Sequence, residues 1–295
     1  MAPRTALYPF IITVLAVAGL SLMDVFMKSA SIAVGAYSAL LLRSWLAIAL
    51  MLPVFLARGG RWPGPKARRI HAIRGVVGMA MALTFFSALV LLPVAEAIAL
   101  SFIAPIIALA LAALLLKERI GRSAILAAML GLVGVGVIVG GRLGSEEATN
   151  ESALGVGLVL VSAFLYAWNL VLQRQQALVA QPVEIGTAQN IVVGVLLLAG
   201  APFFLSLPQG PEIWQTIAAS ALLSVCATML LGWSYARAEA QVLVPVEYSG
   251  FVWSALFGWL LLQEDVAPTT FAGAALIVVA CWIAAPRKSP EQVIV

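Results

Sequence analysis

Glu247 lies in the stretch "VPVEYSGFVW", where an ionisable side chain is costly unless it has work or a partner. One chemistry for it is exchange of a proton, or pairing with the amine of a bound solute. The alternatives are an ion pair with Arg174 or Arg237, or a carboxyl at a membrane interface. Asp24, Lys28 and Arg43 form a second group, expected near the ends of the first two apolar segments, where charges would tie two helices together. Glu96 would join them or favour the positive end of its own helix. A third group is "FLYAWNLVLQRQQ", where Tyr166, Asn169 and Gln173 fall at i, i+3 and i+7 on one helical face. Trp168 and Asn169 lie several residues inside that segment and are read as lining a cavity, against the alternative of polar contacts between helices. Tyr248, Ser249 and Trp253 would face the same space. Gly75, Gly78 and Ala82 make a small-residue face, with Met79 as an adaptable wall and Ser101 as a further lining residue. Aromatic surface with a few polar groups suits a flat amphipathic ligand. Pro105 and Pro245 would bend their helices and free carbonyls, as gating elements or as tolerated prolines.

Other chemistries find no residues. No GxxxxGK[ST] loop is present for ATP, and no HExxH for zinc. The one histidine, His71, falls in a stretch expected to be a basic loop, so no metal and no cofactor are expected, and no catalytic group either. A polytopic membrane enzyme would need a nucleophile–base pair that no local motif supplies. Cys226 and Cys281 lie within apolar runs and read as small buried hydrophobes rather than a disulfide.

The elements that would position these side chains follow from the solvent. The chain is 63% hydrophobic and 10% charged over 295 residues, with mean hydropathy +1.06. So few charges cannot cover a water-soluble surface, so lipid is the solvent and backbone groups must pair internally. Runs such as "AIALSFIAPIIALALAALLL" lack strand alternation and predict helices. Spans of about 20 residues are expected at 7–27, 34–57, 71–92, 94–116, 123–141, 153–173, 186–206, 213–236, 240–263 and 268–285. Basic residues gather in alternate connections, notably Arg58, Arg61, Lys66, Arg68, Arg69 and Arg74. By the positive-inside rule both termini are cytoplasmic. This distribution, with a net charge of only +4, reads as membrane orientation and not as nucleic-acid binding.

The ten spans divide into two. Residues 95–118 read "AEAIALSFIAPIIALALAALLLKE" and 238–264 read "AEAQVLVPVEYSGFVWSALFGWLLLQE". Both open on Ala-Glu-Ala, carry a proline and close on Leu-Leu-Leu-polar-Glu. The expected organisation is a first repeat at 1–142, a linking outer loop at 143–152, a second repeat at 153–286 and a tail at 287–295. Five spans per repeat would invert the second repeat in the membrane, as in many secondary transporters.

The order of these motifs, with "LLLRSWLAIALML" and "AAMLGLVGVGVIVGG", resembles the drug/metabolite transporter superfamily, EamA type, and within it the bacterial aromatic amino-acid exporters of YddG type. The pattern departs at Phe251, which stands where the first repeat has Pro105. The resemblance implies an all-α, ten-helix inner-membrane transporter of small amphipathic solutes, aromatic or hydrophobic amino acids foremost, working by alternating access. Threonine-type or drug-like solutes are the alternative. Its partners would be the solute and the bilayer, and no obligatory protein partner is expected.

Overall fold

The computed structural model describes residues 7–60, 63–104, 106–108, 111, 122–144, 149–177, 180, 182–235, 237, 243 and 246–284. In chain order its helices are α1 (Leu7–Ala57), α2 (Pro65–Leu91), α3 (Val94–Ser101), α4 (Arg122–Leu143), α5 (Asn150–Ala177), α6 (Pro182–Phe204), α7 (Pro211–Tyr235), α8 (Ser249–Leu262) and α9 (Pro268–Ala284). Four of them open on proline, whose missing N–H leaves nothing unsatisfied in a first turn. α5 instead opens behind Thr149, whose hydroxyl accepts from Ser152 N at 3.1 Å.

Several boundaries differ from expectation. The first two spans are joined without a loop, as two arms of α1 that meet at Gly35 (φ 80°, ψ 149°). That conformation belongs almost solely to glycine. Asp24 and Lys28 therefore lie inside the first arm and not at a helix end. α2 begins at Pro65, six residues before the expected span, so His71 and Arg74 are helical and buried rather than part of a basic loop. The fourth segment breaks after α3 into a turn at Phe102 and Ile103. The ninth has a turn at Tyr248 directly before α8. Pro105, Pro245 and the "LLLKE" end with Glu118 lie outside the described residues.

The most extensive packing joins α1 with α7, α4 with α9, and α2 with α5. α1 also packs on α6, where Asn190 Nδ2 donates to Gly186 O at 2.9 Å beside Met51. α4 and α9 approach to backbone contact. A Cβ on Gly134 would lie 2.8 Å from Gly273 O, and one on Gly273 would lie 2.6 Å from Gly134 O. Carbonyl oxygens cannot rotate away as a side chain would, so Gly273→Val should destabilise the protein by about 2–3 kcal/mol. Thermal unfolding in detergent measures this, and an unchanged midpoint would refute the close approach.

The expected small-residue face of α2 is present, against α6: a Cβ at Gly75 would meet Val192 Cγ1 at 2.2 Å, and one at Gly78 would meet Gln189 Nε2 at 2.1 Å. Gly78 thus faces Gln189 of α6 at a helix-packing position. Cys226 is exposed and free, not buried. It shares an outward row on α7 with Leu222 and Leu230, at i±4.

Candidate functional site

The two interrupted segments touch. The Phe102 ring, in the turn after α3, meets the Tyr248 ring before α8 edge-on, with centroids 5.1 Å apart and planes at 89°. One residue on, Ser249 Oγ is shielded and makes no hydrogen bond. Trp253 follows four residues after Ser249, on the same side of α8, and stacks on Phe257 at 5.9 Å and 21°. α1 backs this region: Ser21 Oγ donates to Gly250 O at 3.2 Å, and Ser254 Oγ reaches the same carbonyl at 2.6 Å. Ser101 is adjacent, but its hydroxyl is engaged by Ala97 O at 2.8 Å. Met79 is half-buried on the α2 face that packs against the core.

A polar chain, buried at His71, Arg74, Asn169 and Gln176, runs through α2, α5 and α6. Arg74 donates through Nε to Asn169 Oδ1 at 3.0 Å, through Nη1 to Gln176 Oε1 at 2.6 Å and through Nη2 to Gln173 Oε1 at 3.3 Å. Gln176 bonds His71 Nδ1 through Nε2, and His71 Nε2 lies 3.1 Å from Glu184 Oε1. Tyr166 stands within electrostatic range of both Arg74 and Glu247. Tyr166, Asn169 and Gln173 are brought together as their spacing implies, and the guanidinium that gathers them is Arg74. The sequence held one signal for it: His71 and Arg74 are three apart, as are Gln173 and Gln176, which is the pattern of two facing helices.

Trp168 is not part of that row. At 100° per residue its side chain turns away from Asn169, onto the exposed face of Leu154, Val161 and Phe164. Asn169 is 5% exposed and Trp168 46%, so Trp168 does not share the buried row that Arg74 binds. Trp168→Ala should leave solute flux within about twofold of wild type, as substitutions away from buried features do. A tenfold loss at equal expression would return it to the site.

Within the expected cluster of Asp24, Lys28, Arg43 and Glu96, Lys28 and Glu96 are in electrostatic range of one another, as are Asp24 and Arg43. Lys28 pairs with Glu264 and donates to Leu92 O at 2.6 Å. Glu264 Oε2 in turn accepts from Val94 N, the first N–H of α3, at 2.8 Å. Gln263, left-handed at φ 57°, ends α8 and lets Glu264 N bond back to Gly258 O at 3.1 Å, which directs the carboxylate inward. Glu96 lies 3.9 Å from Arg142. Asp24 and Arg43 remain, with the guanidinium 5.3 Å over the Phe86 ring and Nη1 3.4 Å from Met23 Sδ. His71 and Leu92 are about 31 Å apart along α2 at 1.5 Å per residue, so the two polar assemblies occupy opposite ends of the bundle. Among the described residues, no three His, Cys, Asp or Glu side chains converge as metal ligands.

Comparison with known proteins gives a consistent result. The sequence profile of the EamA-like transporter family matches twice, over residues 7–140 and 153–285. The chain is 30% identical over 218 residues to an uncharacterized transporter of Helicobacter pylori, covering 70% of each chain. It is 26% identical over 276 residues to the pseudopaline exporter CntI of Pseudomonas aeruginosa, covering 92% of this chain and 93% of that one. To a riboflavin transporter of Vibrio cholerae it is 25% identical over 193 residues, 63% of this chain and 60% of the relative. One crystal structure superposes with a TM-score of 0.65 at 23% identity, covering 94% of this chain and 95% of that one, a likeness of fold alone.

Proposed function

The chain belongs to the EamA-like transporter family, and on that premise we propose that it exports small amphipathic solutes, aromatic amino acids first among them, by alternating access between inverted halves. The observation that carries this reading is the contact between two broken helices. The fourth and ninth segments occupy equivalent places in the repeat, each is interrupted, and the interruptions meet at Phe102 and Tyr248. Discontinuous helices at corresponding positions of two repeats are where secondary transporters build solute sites. In this reading Phe102, Tyr248 and Trp253 flank the flat part of the solute, Met79 and Ser101 complete the wall, and the unpartnered Ser249 hydroxyl accepts or donates to its polar part. Tyr166 and Asn169 lie on the path to one end, and Glu247, beside Tyr166, is the coupling candidate. Pro105 and Pro245 keep their assignment as gating elements.

The pairing of helices supports two inverted halves. The first arm of α1 packs on α7 as α2 packs on α5, a relation that exchanging the halves preserves. The second arm of α1 meets α6, and α4 meets α9, each pair mapping onto itself. Relatives named as a pseudopaline exporter and a riboflavin transporter support a small organic solute. The basic connections support cytoplasmic termini in a bacterial inner membrane.

Counterflow in proteoliposomes loaded in turn with phenylalanine, tryptophan, threonine and riboflavin tests the reading. Phenylalanine and tryptophan should exchange against label. Flux of threonine or riboflavin alone would move the solute class, and a Glu247→Gln variant with normal pH-dependent flux would remove Glu247 from coupling.

A further inference from the structure

We propose that Asp24 and Arg43 hold the two charged ends of a zwitterionic solute, the carboxylate on Arg43 and the ammonium on Asp24. This rests on the amino-acid reading above and names the group that would recognise the head of such a solute. The neighbouring charges are already matched: Lys28 with Glu264, Glu96 with Arg142. Asp24 and Arg43 are opposite charges within electrostatic range of one another. Among the described residues no ion pair within 4.0 Å joins them. Arg43 Nε is shielded and has no hydrogen-bond partner, while Nη1 reaches only a thioether sulfur, a weak acceptor. A half-buried guanidinium with a shielded Nε, left with a sulfur and a ring face, is poorly satisfied, because it presents five N–H donors in a planar fork. A carboxylate is the ligand that such a fork matches.

The location fits. Asp24 is one turn along α1 from Ser21, whose hydroxyl reaches Gly250 O. Gly250 follows Ser249, so the pair stands beside the helix break. The Met23 and Phe86 side chains that contact the guanidinium belong to the apolar core. An aromatic α-amino acid has its ammonium and carboxylate on one carbon and its ring one carbon further. Such a molecule anchored between Asp24 and Arg43 directs an apolar ring away from the charges, toward α8, whose Gly250 carbonyl Ser21 reaches one turn from Asp24. A separated pair also has a physical rationale: two side chains in direct contact would have to be pulled apart by each incoming solute.

The test is calorimetric titration of the purified full-length protein in detergent with phenylalanine, phenethylamine and 3-phenylpropionate. Wild type should bind phenylalanine about tenfold or more tightly than either truncated analogue, since a site built around both charges leaves one unmatched by each. Asp24→Asn should lose the preference over 3-phenylpropionate, and Arg43→Gln the preference over phenethylamine. Equal binding of all three by wild type, or variants that weaken all three ligands alike, would overturn the assignment. If a neutral variant does not fold, Asp24→Glu and Arg43→Lys keep the charges, and each should reduce the same preference about threefold through altered geometry. Amino-acid counterflow with unaltered preferences in the variants would sink this assignment and leave the transport reading standing. Absence of both amino-acid binding and amino-acid counterflow would sink both.

Discussion

Glu264→Leu lowers the stability of the folded protein by about 3–5 kcal/mol, the cost of removing one partner from a buried ion pair. Lys28 and Glu264 side chains are 9% and 14% exposed, so water replaces little of what is lost. Lys28 would keep Leu92 O and the more distant charge of Glu96, and Val94 N at the start of α3 would lose its acceptor. The double variant Lys28→Met/Glu264→Leu separates charge isolation from packing. It should recover most of the loss, because an apolar pair of similar volume is often neutral in place of a buried salt bridge. Urea or thermal unfolding in detergent, followed by circular dichroism, measures both. A double variant no better than Glu264→Leu would show that the ion pair's charge is not what the fold depends on.

Arg74→Leu is expected to cost a similar amount, about 3–5 kcal/mol, by another route. Three side-chain carbonyls, on Asn169, Gln173 and Gln176, accept from one guanidinium. A hydrogen bond to a charged group contributes about 1.5–3 kcal/mol, and bonds that share a donor do not add. Arg74→Lys should restore less than half of the loss, since an ammonium lacks the fixed fork that reaches three acceptors on one helix. Full restoration by lysine would reduce the role of Arg74 to its charge. The same variants should raise amide exchange in α5 around Asn169 before they affect α9, which does not pack on α2 extensively.

The apolar runs located the membrane-facing segments because hydropathy reports the solvent, and lipid is the solvent for most of this chain. Hydropathy does not report partners. His71 and Arg74 raised the polarity of 65–74 enough to suggest a loop, yet those residues open α2, and their partners are 95 to 113 positions away, from Arg74–Asn169 to His71–Glu184. Likewise the role of Glu264 depends on Val94, 170 positions earlier, and on a left-handed Gln263 that no spacing rule foretells. The row Tyr166, Asn169 and Gln173 was legible because three polar side chains on one face of an apolar helix must find one another's company. Trp168 does not share that row, because 100° of helix separates it from Asn169. The break at Phe102 and Ile103 has a cue in the sequence, because Pro105 has no N–H to offer the carbonyl four residues earlier, at Ser101. Gly35 offered no comparable cue, since isolated glycines are common along the chain.

The interleaved packing has a consequence for how the chain is made. Every one of the most extensive helix pairings joins a helix from α1–α4 to one from α5–α9. Ribosomes deliver the first set before the second, so α1, α2 and α4 enter the bilayer with their principal neighbours still unsynthesised. During that interval Lys28, His71 and Arg74 sit in lipid without Glu264, Glu184 and Gln176. Assembly therefore cannot be completed half by half. It is a late event, reached when α9 emerges to meet α4, and the waiting time before it is a period of vulnerability set by translation and not by the finished structure.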